Sequence, residues 1–98
     1  MDSGFIDDEI LQRAIDTWGV DAQCEMMLEE SIELAMALQK MKRLRGDHHQ
    51  KFANLIDELA DNKIMLRQME KIFPIELIND RVDFKMNRLK ERLDEKIS

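Results

Sequence analysis

Apart from Gly4, helix-breaking residues occur at only three places in this chain, Gly19, Gly46 and Pro74. They divide it into four stretches whose apolar residues recur every three or four positions, a periodicity that points to helices. From about Asp7 to Trp18, Ile6, Ile10, Leu11, Ala14, Ile15 and Trp18 share one side, so a short amphipathic helix is expected there. From about Asp21 to Arg45 the apolar positions are Met26, Met27, Leu34, Ala37, Leu38, Met41 and Leu44. Lys40, Lys42, Arg43 and Arg45 then mark a basic C-terminal end before Gly46. The segment Gly46-Asp47-His48-His49 reads as a connection, with both histidines exposed on a turn. Phe52, Leu55, Ile56, Leu59, Met65, Leu66, Met69 and Ile72 describe a third helix ending near Pro74. The second and third helices are expected to form an antiparallel hairpin. From Ile75 to Ile97, Val82, Met86, Leu89 and Leu93 form a narrow stripe on a charged helix, suited to packing along a bundle or on a second subunit.

Composition agrees with an all-α reading. The 98 residues include 3 Gly, 1 Pro, no Tyr and 8 Met, and β-branched and aromatic strand formers are sparse. The length suits one domain, 1–98, built as a four-helix-bundle-like unit of one short and three long helices. The methionines suit adaptable packing between helices or subunits. Lys+Arg 15 against Asp+Glu 21 leaves a net charge of −6, which argues against nucleic acid as a partner. Cys24 is the only cysteine, and neither an eighteen-residue apolar run nor a secretory signal is visible. A cytoplasmic protein with no membrane partner is therefore expected.

Certain acids fall where an apolar residue would be expected. On the second helix the row Met26, Glu30, Glu33, Ala37, Met41, Leu44 keeps helical spacing, and on the third the row Glu58, Asp61, Met65, Met69, Ile72 does the same. In an antiparallel hairpin, residues at equal height have numbers with a constant sum. Glu30 with Asp61 and Glu33 with Glu58 share one sum, and its midpoint falls between Arg45 and Gly46, close to the inferred turn. All four carboxylates are thus expected to converge.

Carboxylates gathered in that way need compensation, because mutual repulsion and desolvation both penalise the charged forms. Oxygen ligands without thiolate or imidazole suit Mg²⁺, with Mn²⁺ as a substitute, and a phosphorylated substrate. A di-iron bundle would carry Glu-x-x-His pairs, whereas these pairs end in Glu33 and Asp61. The alternative for such acids is a solvated, non-functional face.

The stretch Glu29-Glu30-Ser31-Ile32-Glu33, followed after 24 residues by Glu58-Leu59-Ala60-Asp61, resembles the E-E-x-x-E … E-x-x-D signature of the MazG-like nucleoside triphosphate pyrophosphohydrolases. Trp18-Gly19, Gln23, Glu29 to Lys40, Glu58 to Met69 and the Lys85/Arg88 pair extend the likeness to short, single-domain members. Asn62 departs from it: the family usually has an apolar residue after the Asp, so this position is either a packing variation or a change at the site's edge. The resemblance implies Mg²⁺-dependent cleavage of a nucleoside triphosphate to the monophosphate and pyrophosphate. It also implies a homodimer or homotetramer with the site near a subunit interface. By motif position Glu30, Glu33, Glu58 and Asp61 would be metal ligands, and Glu29 an outer contact or the residue that orients the attacking water.

For the substrate, Lys40 is the candidate phosphate contact among the basic residues at the second helix's end. Lys85 and Arg88 are candidate triphosphate ligands, an assignment carried mainly by the resemblance. Gln23 has the donors and acceptors to read a base edge. Trp18 could stack on a base, although core packing is the expectation for it. Cys24, with no histidine near it in sequence, is expected to be a buried filler. A rival reading makes the protein a non-catalytic helical-bundle interaction module that uses the last helix, and a weaker one makes it a carboxylate metal bundle without nucleotide chemistry.

Overall fold

The computed structural model describes residues 4–43 and 46–97, which form four helices: α1 (Asp8–Trp18), α2 (Val20–Lys42), α3 (His48–Ile72) and α4 (Ile75–Ile97). No strand occurs among the described residues. Leu44 and Arg45, which would close the apolar row and the basic end of the second stretch, lie outside them.

Each helix begins or ends for a local chemical reason. Asp7 caps α1, its Oδ1 accepting from the backbone N–H of Glu9 at 2.9 Å and of Ile10 at 3.4 Å. Gly19 ends α1 with φ 91°, a backbone conformation that L side chains rarely adopt, and the same residue opens α2. Asp47 accepts from the N–H groups of His49 (2.9 Å) and Gln50 (3.3 Å), so α3 starts at His48. This corrects the expectation of a turn there: His48 and His49 are exposed, but they stand in the first turn of a helix capped by Asp47. Phe73 is extended before Pro74, as a residue preceding proline tends to be, and α4 follows at once.

The fold is dominated by α2 against α3, which pack as the expected antiparallel hairpin, while α1 leans on α2. Among the described residues the buried apolar side chains are Leu11, Ala37 and Met65, and amides occupy the rest of the interior: Gln23, Asn62 and Gln68. Gln68, 1% exposed, donates through Nε2 to the carbonyl of Leu11 (3.1 Å) and to Gln23 Oε1 (3.0 Å), tying α1, α2 and α3 at one point. Outside, Arg67 makes a two-pronged bridge to Asp8 at 3.0 and 2.9 Å and a second to Glu70 at 3.2 Å. Asp8 holds the Arg67 guanidinium firmly charged and is itself lowered by it.

Two expectations about packing need correction. Trp18 is not in the core: it is 66% exposed, because it ends α1 on a side that nothing covers among the described residues. Cys24 is half-buried instead of fully enclosed. Within the described chain, α4 packs on α3 only near their junction: Ile75 and Ile78 are half-buried and every residue from Asn79 to Ile97 is exposed. The Cα radius of gyration is 17.0 Å, against roughly 13 Å for a compact chain of this length.

Candidate functional site

The hairpin brings the two acid pairs together. Glu30 and Glu33 lie three residues apart on one side of α2, and Glu58 and Asp61 are related in the same way on α3. The interactions that result agree with the register read from residue numbers: Glu30 meets Asp61 and Glu58 meets Glu33, and Glu58 also meets Glu30. One oxygen from each of Glu30, Glu33 and Glu58 lies within 4.8 Å of the other two. Asp61 joins this group through Glu30 and is exposed at its flank.

The electrostatics follow from the crowding. Burial pushes the Glu30 carboxyl above the ordinary glutamate range, and the charges of Asp61, Glu33 and Glu58 push it further. Glu58 is raised in the same way, by burial first and then by Glu33 and Asp61. Glu30 and Glu58 therefore keep their protons to higher pH than isolated glutamates do. Even so, Glu30 Oε2 and Glu58 Oε2 are buried without a hydrogen-bond partner. A buried acceptor without a donor is costly, and a cation is one group that would satisfy both.

An open cleft of about 150 Å³ adjoins the acids. Glu33 and Glu58 form one end of it, and Met36, Ala37, Lys40, Lys51 and Asn54 line the rest. Lys51 Nζ donates to the Arg43 carbonyl at 3.1 Å, which draws its ammonium toward the end of α2. Each helix thus lends the cleft one carboxylate and one ammonium group, Glu33 and Lys40 from α2 and Glu58 and Lys51 from α3.

The remaining candidates are scattered. Glu29 is exposed on α2 beside Glu30. Gln23 is buried, with its carbonyl occupied by Gln68, and does not face solvent as a base reader would. Trp18 lies on the outer side of α1 in a shallow depression with Ile10, Arg13, Ala14 and Thr17. Lys85 and Arg88 stand on the exposed length of α4.

Sequence reasoning passed over Lys51, Asn54 and Gln68, and it left open the part played by Asn62. Gln68 continues the row Asp61, Met65 with helical spacing, so its inward position was legible; that an amide would fill it was not. Comparison with protein-family models, with curated proteins and with solved structures finds no match to this chain.

Proposed function

We propose that this protein is a Mg²⁺-dependent nucleoside triphosphate pyrophosphohydrolase with a MazG-like fold, working as a homo-oligomer. The observation that carries the reading is the carboxylate cluster: three ligand oxygens within 4.8 Å, two of the residues having a second oxygen buried and unpartnered, beside a cleft lined by Lys40 and Lys51. The donor set fits the ion, because octahedral Mg²⁺ takes oxygens at about 2.1 Å and places neighbouring ligands about 3 Å apart. Small rotations of Glu30, Glu33 and Glu58 would close their oxygens to that spacing.

When bound, Mg²⁺ or Mn²⁺ would neutralise charge on the phosphate oxygens and lower the pKa of a water. The protein's own residues do the rest. Glu30, Glu33 and Glu58 hold the cation, and Asp61 sits beside Glu30 to complete or orient that set. Glu29, exposed one turn before Glu33, would be an outer metal contact or orient the attacking water. Lys40, with Lys51 and Asn54 near it, offers donors to phosphate oxygens along the cleft. Lys85 and Arg88 lie on the uncovered part of α4, which leaves them to act on a triphosphate held by a neighbouring copy. Gln23, bonded to Gln68 in the core, is left out of the substrate contacts.

The test is incubation with a panel of nucleoside and deoxynucleoside triphosphates and Mg²⁺, with products resolved by ion-exchange chromatography. Monophosphate plus pyrophosphate is expected, and Glu33→Gln or Asp61→Asn should abolish turnover with helicity intact. Release of orthophosphate alone, or no turnover with any divalent cation, overturns the reading.

A second reading, an interaction module without catalysis, is favoured by one observation. Val82, Met86, Leu89 and Leu93 are all exposed on α4. If that stripe is the whole function, Leu89→Asp destroys it with no dependence on divalent cations.

A further inference from the structure

Asn62 is 5% exposed and stands where α3 meets α2 at the height of the acids. Its single side-chain nitrogen donates twice, to the backbone carbonyl of Glu30 on α2 and to that of Glu58 on α3, each at 2.8 Å. The two carbonyl oxygens are therefore held within twice that distance of each other. They belong to the same two residues whose carboxylates carry the buried, unpartnered oxygens.

The amide of Gln68 works differently, since one of its two acceptors is the rotatable side chain of Gln23. Both acceptors of Asn62 are main chain, so its grip acts on the helix backbones. An apolar residue at 62 would fill similar space, but hydrophobic contact is non-directional and would leave the helices free to slide or turn by small amounts. At this height such freedom has consequences, because Glu30 and Glu58, when ionised, are repelled by the acids around them across the α2–α3 seam.

We infer that Asn62 is a positioning residue that fixes the separation and register of the Glu30 and Glu58 carboxylates against their own repulsion. The inference rests on the reading of those carboxylates as a cation site. Outer partners of metal ligands typically alter affinity 10- to 100-fold when removed, and Asn62 acts in that manner through the ligands' backbone.

The test compares the wild-type chain with Asn62→Leu, which keeps bulk and removes both donors, and with Asn62→Ser. A serine hydroxyl can return a bond to the Glu58 carbonyl one turn back but does not span to α2, so this variant also serves should the leucine variant fail to fold. Nitroxides at Ser31→Cys and Ala60→Cys, in a Cys24→Ser background, report the α2–α3 distance by pulsed electron paramagnetic resonance. Mn²⁺ titration by the same spectroscopy reports affinity. The expected result is a broadened or displaced distance distribution and Mn²⁺ binding weakened about 10-fold, with helicity unchanged. An unchanged distribution, or Mn²⁺ bound by the variants as tightly as by the wild type, overturns the assignment. A changed distribution in a protein that binds no Mn²⁺ even as wild type supports the positioning role and rejects the cation site.

Discussion

The two helices of the α2–α3 hairpin and α4 are each of similar length and are built from the same kinds of residue, yet they reach opposite outcomes. The hairpin buries Ala37, Met65 and three amides between its helices, while α4 beyond Ile78 buries nothing among the described residues. Amphipathic spacing is present in both, so periodicity alone does not decide whether a face is covered. What separates them is a partner at the right distance: α2 and α3 face each other across a short connection, and the Val82, Met86, Leu89, Leu93 stripe faces none among the described residues. A helix of that length draws most of its stability from packing and not from propensity. A second copy laid against the stripe would supply that packing, in keeping with the homo-oligomer proposed above.

The sharpest way to break this contrast is to truncate one side chain in each region. Met65→Ala is expected to cost about 2–4 kcal/mol in denaturant unfolding, since it removes a buried side chain from the hairpin. Leu89→Ala in dilute protein should stay within about 0.5 kcal/mol. If copies associate through α4, the Leu89 effect grows with protein concentration, and light scattering should find Leu89→Asp monomeric where the wild type is not. Equal losses at every concentration would mean that α4 is covered within its own chain.

Next in size is the dependence on pH. The raised Glu30 and Glu58 carboxyls favour the folded state fully below the ordinary glutamate value of 4.5, and that contribution is lost as pH rises through their higher folded values. Asp8, lowered by Arg67, has the opposite sense: its contribution is present above the ordinary 3.8 and is lost as pH falls through its lower folded value. Metal-free protein should therefore lose Tm from pH 5 toward neutrality more steeply than Glu30→Gln does. Mg²⁺ should restore Tm at pH 7.5 and leave it unmoved at pH 4.5. A wild-type profile parallel to that of Glu30→Gln would remove the hairpin's acids from this account.

The placement of helices was largely legible in the sequence. Gly19 and Pro74 bound the observed elements, and α4 runs from Ile75 to Ile97 as the spacing indicated. The pairing of Glu30 with Asp61 and of Glu33 with Glu58 followed from residue numbers because rise per residue is constant along a helix. Three features were less accessible. The start of α3 at His48 depended on reading Asp47 as a cap instead of as part of a loop. Trp18 was assigned inward because an apolar stripe marks a side of a helix without saying whether anything lies on it. The amide interior escaped because Gln23, Asn62 and Gln68 are polar by type and become core residues only when they find one another or a backbone carbonyl across helices.

The smallest expected effect concerns α1, intermediate between the two regions. Asp8→Asn weakens a half-exposed bridge to α3, and the readout is amide hydrogen exchange: faster in α1, unchanged in α2 and α3. Acceleration spread over the whole hairpin would show that α1 belongs to the same cooperative unit.

The one-residue joint at Gly19 gives α1 a mechanical character. With a φ of 91° at a single residue between two helices, the direction of α1 is set by a pair of dihedral angles and not by a loop that could adjust. One end of the helix turns on a steric pivot, and the other is latched by the ionic bridge from Asp8 to Arg67. Added salt loosens the latch and leaves the pivot untouched. High ionic strength is therefore expected to loosen the Asp8 end of α1 without freeing the helix, because Leu11 stays buried and its carbonyl still accepts from Gln68.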